Sequence, residues 1–470
     1  MDITLIDPRG VTKGLNVGLA YLTGALISHG YQVRVVDLNN RYDSYEKRIG
    51  HINSDVVGVS LKSAIVSEAK SIFNMMDENR QIQFKICGGA HITVAGRDFI
   101  EKYNFDIGFI GEAEHAILNF LEYTRGNRNI SSIGDIWYRD KKDSSIHYFN
   151  WHEHEKDALD VLPFPAYEIF DSFRGSIDDY PIVTSRGCPY ICTYCCVGEV
   201  SGRKWRARSI DNILKELINA QEKYRFKRFH IIDDNFTLNI ERAKDFCRML
   251  IERGLNKEWH CPNGVRADRL DEELLTLMKM SGCTSINIGI ESGVEKIFNA
   301  LKKGETLSDI EKTVKLAKKI GIRVNGFFIL GLPGSTYEDD MKSIAYSEAL
   351  GLDDALFNLI SIYPGTELWE TITNNKQIRI LREWTAAFHF GGEAEPIFDT
   401  EGYGASDRKK AFYISNLRRR HYLIVVGETG SIVKRSFRLL RIIWEYDRRS
   451  LFSHIFFIFK NFRKVLNYMG

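Results

Sequence analysis

Short apolar runs alternating with helix-length amphipathic stretches dominate the chain to about residue 380, and such a pattern buries its strands only as a parallel sheet covered by helices. Over residues 1 to about 125 the apolar runs are Ile3 to Ile6, Gln32 to Val36, Val56 to Val59, Phe84 to Ile86 and Ile107 to Ile110. The helical stretches between them are Asn16 to Ser28, Ile65 to Met75, Val94 to Tyr103 and Glu112 to Tyr123. The pattern predicts a doubly wound α/β domain, whose ligands sit at the carboxyl ends of the strands. Those ends read Asp7-Pro8-Arg9-Gly10, Ser60-Leu61-Lys62-Ser63, Gly88-Gly89-Ala90-His91 and Gly111-Glu112. Such residues admit a ligand close to the backbone, and they also make ordinary βα turns.

Residues 131 to about 173 read as a hairpin-like extension and a linker, where Leu162-Pro163-Phe164-Pro165 enforces extended backbone. The alternation then resumes, with strands near Ile182 to Ser185, Phe229 to Ile232, Trp259 to Pro262, Ser285 to Gly289, Val324 to Leu330 and Leu356 to Ile362. Six βα units are too few for a closed eight-fold barrel and predict a partial one. With 44% hydrophobic and 27% charged residues the composition is that of a packed protein, and a formal charge of +2 excludes the field of a nucleic-acid binder. The charge is uneven: from Ser431 to Gly470 nine Lys/Arg face two Asp/Glu, a net of +7, which leaves 55 basic against 60 acidic residues before it. The first residues lack a signal-peptide pattern and no apolar run is long enough to span a bilayer, so a cytoplasmic protein is expected. Eight Cys in that setting point to metal chemistry or catalysis rather than to disulfides.

Four of them cluster in Ser185-Arg186-Gly187-Cys188-Pro189-Tyr190-Ile191-Cys192-Thr193-Tyr194-Cys195-Cys196, directly after a strand. Thiolates at C-x-x-x-C-x-x-C spacing can each bind one iron of a 4Fe-4S cluster, and a three-cysteine set leaves one iron with an open position. The registry selects Cys188, Cys192 and Cys195 and makes Cys196 the spare, since starting from Cys192 and Cys196 places the third ligand at Glu199. A zinc knuckle would need a fourth Cys or His at finger spacing, and only a remote one such as His260 or Cys261 could supply it.

This loop, with Tyr194 before its third cysteine, resembles the signature of the radical S-adenosylmethionine (SAM) superfamily. Phe229 to Thr237 with Asp233-Asp234-Asn235, Asn263-Gly264-Val265-Arg266-Ala267-Asp268, Gly289-Ile290-Glu291-Ser292-Gly293, Gly331-Leu332-Pro333-Gly334 and Tyr363-Pro364-Gly365-Thr366 are similar, in order, to motifs of one of its branches. The resemblance implies a 4Fe-4S cluster whose open iron is chelated by SAM. It places Asp233, Asp234 and Asn235 at the methionine amino group, Glu291 at a ribose hydroxyl and Arg266 at the carboxylate, with Tyr194 and Ser292 among the cofactor-binding residues. The competing structural readings are helix caps for the strand-end carboxylates and an Arg266–Asp268 pair.

That branch commonly carries an N-terminal cobalamin-binding domain, and Gly18 to Leu22, Cys87 to His91 and Gly111 to Glu114 look like its recurring pieces. Ser60 and Gly88-Gly89 match the serine and glycine pair that admit the nucleotide tail of cobalamin; Ala90, His91, Gly111 and Glu112 complete the expected lining. The loop that supplies a lower axial histidine is missing, its place taken by Asp7-Pro8-Arg9-Gly10-Val11-Thr12. His91 is expected to be a hydrogen-bonding residue rather than a cobalt ligand. The organisation implied is a cobalamin-binding-like Rossmann domain over 1–130, a linker over 131–175, a radical SAM partial barrel over 176–380, and a cover with a basic, mainly helical tail over 381–470. The tail interleaves Arg and Lys with aromatics, which suits a membrane interface, or a terminal helix pair docked on the body, the outcome favoured by the apolar run Leu451 to Phe459.

The expected function is a cobalamin-dependent radical SAM methyltransferase acting on an unactivated carbon, or on phosphorus, of a small-molecule or lipid-like substrate. A low-potential donor such as flavodoxin or ferredoxin would reduce the cluster. The alternatives are an oxidative cyclase or ring rearrangement using the same parts, and a cobalamin- or redox-responsive binding protein with a vestigial barrel.

Overall fold

The computed structural model describes residues 2–10, 14–39, 48–49, 52–150, 159–255, 257–387, 395–427 and 431–461. The chain forms two compact units, Met1–Pro189 with Cys196–Phe236 and Met249–Trp259, and Tyr190–Cys195 with Thr237–Arg248 and His260–Gly470.

The first unit opens with strand β1 (Asp2–Asp7), helix α1 (Val17–Ser28), β2 (Gln32–Asp37), β3 (Val56–Ser60), α2 (Val66–Glu78), β4 (Phe84–Gly88), α3 (Ala90–Tyr103), β5 (Ile107–Phe109) and α4 (Glu114–Thr124). A hairpin of β6 (Ile136–Arg139) and β7 (Ile146–Phe149) follows, in the segment read from sequence as a hairpin-like extension. The sheet order is β2-β1-β3-β4-β5-β6-β7, parallel through β5 and antiparallel at the hairpin edge. Strands are covered on both faces, which is why Ile3, Leu5, Ile6, Val35, Val36, Val56 and Val57 form near-continuous apolar runs and are all buried. One face packs on α2 and α3 through Ile72, Phe73 and Phe99, joined by Phe105 from the turn before β5, with Phe73 and Phe99 meeting edge to face at 5.6 Å. Further along, β8 (Asp179–Ile182) pairs in parallel with a strand at Arg228–Ile231, and β9 (Ser185–Arg186) pairs antiparallel with β10 (Arg206–Ala207).

In the second unit Cys283–Glu291, Arg323–Leu330 and Asp354–Leu359 lie side by side in parallel, each strand followed by a helix or connected through one. The helices Leu307–Ile320 and Tyr337–Ala349 each start with a capping box, Thr306 with Asp309 and Thr336 with Asp339, which fixes where each helix begins. After a short strand at Phe398–Asp399 paired with Arg379–Ile380, the described part of the C-terminal region is helical: Ala405–Arg418, Tyr422–Val426, Ile432–Tyr446 and Leu451–Lys460. Their inner faces share a core of Tyr413, Leu417, Tyr422, Val425, Leu439, Ile442 and Ile443. Within the described residues no helix is long and apolar enough to cross a membrane. Parts of the linker, of the cover expected over Trp384 to Tyr403, and the end of the tail lie outside the described residues.

Candidate functional site

In the first unit a cleft of about 330 Å³ opens at the carboxyl ends of β3, β4 and β5, between the sheet and helices α1 and α4. Ser60, Gly88, Gly89, Ala90, Gly111 and Glu112 all line it, and Leu5, Leu19, Leu22, Ile86, Phe109 and Ile117 make its apolar wall. Strand β4 ends at Gly88 and α3 starts at Ala90, so Gly89 must turn the chain at φ 97°; a Cβ there would stand 2.6 Å from the Leu61 carbonyl oxygen. His91 is not part of the cleft wall. Its buried ring lies edge-on to Phe99 with Nδ1 3.3 Å from Ser63 Oγ, and burial pulls its pKa down to about 4, which keeps the imidazole neutral.

Ser60 is held by residues that sequence reasoning did not single out. Asn16 caps α1 by accepting from the Leu19 N–H at 3.1 Å, and its Nδ2 donates to Asp7 Oδ1 at 2.7 Å and to Ser60 Oγ at 3.2 Å. The Ser60 oxygen accepts in that bond, so its O–H serves as a donor toward an acceptor in the cleft. Burial raises the pKa of Asp7 to about 7, against the opposing pull of Asn16 and Lys62. An apolar slot with a hydroxyl donor and a glycine rim fits the flat heterocyclic tail of a cobalamin. Described residues 7–10 hold no histidine, and Val11 and Thr12 of the same loop lie outside the described residues.

Ion pairs close the rim. Arg186 reaches Glu114 at 2.7 Å and Glu112 at 3.1 Å and lies over the Tyr21 ring, while Arg206 pairs with the same Glu112. Arg186 is largely withdrawn from water, yet Glu114 and Glu112 hold it firmly charged. The available signal was two acidic residues in Gly111-Glu112-Ala113-Glu114 and an arginine one residue before Gly187, far apart in sequence and opposite in charge.

Gly187 itself has φ 87°, and a Cβ would press on the backbone oxygens of Lys204 and Gly202 at 2.5 and 2.9 Å. Only glycine fits this entry to the cysteine loop, where the Cys188 N–H then bonds to Gly202 O at 3.1 Å. Asp233 is buried and accepts from Thr184 N–H at 2.6 Å, Thr184 Oγ1 at 2.5 Å and Ser185 Oγ at 2.6 Å, so it organises the β8–β9 corner. Asp234 accepts from the Gly187 N–H at 3.0 Å and lines the cleft. Asn235 donates through Nδ2 to Cys188 Sγ at 3.7 Å, the contact a thiolate ligand would take, and its buried Oδ1 has no hydrogen-bond partner among the described residues.

In the second unit the remaining loop is tied down on both sides: Thr193 N–H bonds to Leu301 O at 3.0 Å, Leu368 N–H to Thr193 O at 2.9 Å, and Cys195 N–H to Cys192 O at 3.1 Å. The Tyr194 hydroxyl donates to Glu291 Oε1 at 2.8 Å. Glu291 sits in left-handed backbone, φ 62°, where the register of its strand slips between Gly289 and Glu291. A non-glycine residue held there is the kind of strain that collects at functional positions. Buried Lys303 contacts Glu291 and Glu305, each at 3.1 Å, and bonds to Gly289 O; although burial favours its neutral form, the two carboxylates keep it charged. Ser292 Oγ accepts from the Val294 N–H at 3.2 Å and lies 3.2 Å from Ser343 Oγ. Arg266 bonds to Asp268 at 2.9 Å and to Lys303 O at 2.6 Å and lies 3.6 Å over the Tyr190 ring, leaving Nη2 buried with no hydrogen-bond partner among the described residues. An arginine nitrogen in that condition fits a ligand carboxylate. The Arg266–Asp268 pair and the Arg266 donor therefore coexist.

Two family models match the chain: the radical SAM superfamily over residues 182–346 and the B12 binding domain over residues 11–121. The chain is 27% identical to an uncharacterized methyltransferase of Pyrococcus horikoshii, across 92% of this chain and 95% of that protein. It is 29% identical to the cytidylyl-2-hydroxyethylphosphonate methyltransferase of Streptomyces wedmorensis, across 75% of this chain and 76% of that one. Its fold is similar to that of the radical SAM methyltransferase TsrM of Kitasatospora setae, solved with cobalamin and a [4Fe-4S] cluster, with a TM-score of 0.71 at 17% identity over 89% of this chain and 88% of that chain.

Proposed function

We infer that this chain, which belongs to the radical SAM superfamily and carries a B12-binding domain ahead of its radical SAM domain, is a cobalamin-dependent methyltransferase acting on an unactivated carbon, or on phosphorus, of a small-molecule substrate. One observation carries it: a single chain joins the three-cysteine loop, entered through a glycine that nothing else can replace, to a cleft with a hydroxyl donor and glycine rim at the strand ends. When bound, the cluster with SAM supplies a 5′-deoxyadenosyl radical that can take a hydrogen atom from the substrate, and cobalamin carries the methyl group.

The chain's own residues bind and orient. Cys188, Cys192 and Cys195 would hold three irons, with Asn235 Nδ2 donating to the Cys188 sulfur. By the resemblance Arg266 would hold the SAM carboxylate and Asn235 the amino group; Arg266 Nη2 and Asn235 Oδ1 are each buried without a hydrogen-bond partner among the described residues. Glu291 takes a ribose hydroxyl through Oε2, since Oε1 is committed to Tyr194 and Lys303. Asp233, Asp234 and Ser292 act at one remove, fixing the Thr184–Gly187 corner and the turn after Glu291. Ser60 donates to the cobalamin tail, while Gly88, Gly89, Ala90 and Gly111 let it approach and Glu112 closes the rim. A low-potential donor such as flavodoxin or ferredoxin would reduce the cluster, and the cytoplasm is the compartment proposed.

The test is anaerobic reconstitution with iron, sulfide and cobalamin, followed by incubation with a reductant, candidate substrates and methyl-labelled SAM. Label in the product is expected. Substrate consumed without label would turn the assignment to a cyclase or ring rearrangement, and a loaded cluster that never yields 5′-deoxyadenosine would mean a binding protein with a vestigial barrel.

A further inference from the structure

Helices Ile432–Tyr446 and Leu451–Lys460 each have two apolar sides. The inner ones hold Leu439, Ile442 and Ile443 in the C-terminal core, and His454 is buried there with bonds of 2.9 Å to Tyr422 Oη and to Asp447 Oδ2. The outer ones face solvent. Along the first helix Val433, Phe437, Leu440 and Trp444 recur at i, i+4, i+7 and i+11, one stripe opposite the buried side, with Phe437 71% and Trp444 59% exposed. Along the second, Phe452, Phe456 and Phe459 repeat the spacing, with Phe452 84% exposed. Large aromatics gathered this way are what a soluble surface avoids unless something covers them.

Charge says what covers them. Between residues 431 and 461 seven Lys/Arg face two Asp/Glu, while the whole chain balances to +2. Lys434, Arg438 and Arg441 follow one flank of the exposed stripe on the first helix. Two copies of such a face would bring like charges together, whereas a sheet of acidic headgroups over acyl chains satisfies both the aromatics and the basic flank. Neither helix is long enough to span a bilayer, so the fit is to the interface plane.

We propose that the outer faces of these two helices seat the protein on an anionic membrane surface. This stands apart from the methyltransferase assignment. Full-length protein is co-sedimented with vesicles of phosphatidylcholine alone and with phosphatidylserine added, at low and high salt. Substituting Phe437→Ser, Trp444→Ser and Phe456→Ser together tests the stripe without touching the core, and Lys434→Gln with Arg441→Gln tests the flank. The expected result is pelleting with phosphatidylserine vesicles that weakens with salt, drops about fivefold per charge removed, and is lost in the aromatic variant while its melting temperature is unchanged. No pelleting, equal pelleting on phosphatidylcholine alone, or an aromatic variant that pellets normally would overturn the proposal. So would a concentration-dependent dimer that the aromatic substitutions abolish, which would make a second copy the occupant.

Discussion

Replacing Asp7 by Asn should make the cobalamin-type sheet less sensitive to pH. Asp7 ends β1, is buried, and has a folded-state pKa of about 7 against an ordinary value of 3.8, chiefly from burial and secondarily from Asp37, opposed by the Asn16 bond and by Lys62. The folded state therefore keeps a proton that the unfolded chain gives up near pH 3.8, and stability falls as pH rises between the two values. The penalty is absent below the unfolded pKa and complete above the folded one. At 1.36 kcal/mol per unit, the whole displacement is worth about 4 kcal/mol, of which about 2 to 3 kcal/mol develops between about pH 5 and about pH 8. Asparagine keeps an oxygen for the Asn16 Nδ2 donor and cannot ionise, so Asp7→Asn should flatten this slope while leaving the Ser60 bond in place. Hydrogen exchange of the β1 and β3 amides, corrected for intrinsic rate, reads the opening of this sheet in wild type and variant at both pH values. Equal pH dependence in the two proteins would refute the argument.

Replacing Cys188, Cys192 or Cys195 by Ala should abolish cluster incorporation, measured as bound iron and sulfide, whereas Cys196→Ala should retain it; the reverse pattern at 195 and 196 would mean that the registry is wrong. Lys303→Met should leave Glu291 and Glu305 buried without their cation and cost about 3 to 5 kcal/mol, read by denaturant unfolding, with loosened Tyr194 reported as faster exchange of the loop amides.

The βα alternation was legible because buried parallel strands cannot hide their apolar runs, and the cysteine spacing because three ligands on one loop are a local fact. What escaped was whatever depends on register between distant strands. Asn16 looked like a helix start and nothing more, yet the pairing of β1 with β3 is what brings its amide to both Asp7 and Ser60. Arg186 was read as part of a cysteine motif, although its guanidinium answers two glutamates 72 and 74 positions earlier. Glu291 was assigned from its motif, but neither its left-handed backbone nor its buried lysine partner leaves a trace in the residue order. At the tail the run Leu451 to Phe459, apolar nearly all round, favours a docked helix over an interfacial one; in the fold His454 is buried while Phe452, Phe456 and Phe459 are exposed, because a uniformly apolar run does not say which of its sides meets the core.

Arg186 lines the cleft and stands two residues before Cys188, so whatever fills the cleft also bears on the arm that presents the first thiol. Thermodynamic reciprocity then requires that a factor by which iron and sulfide improve retention in the cleft is the same factor by which a filled cleft improves retention of iron and sulfide. Purified protein that has lost one group should shed the other more readily, and restoring either alone should recover part of the missing affinity for its neighbour.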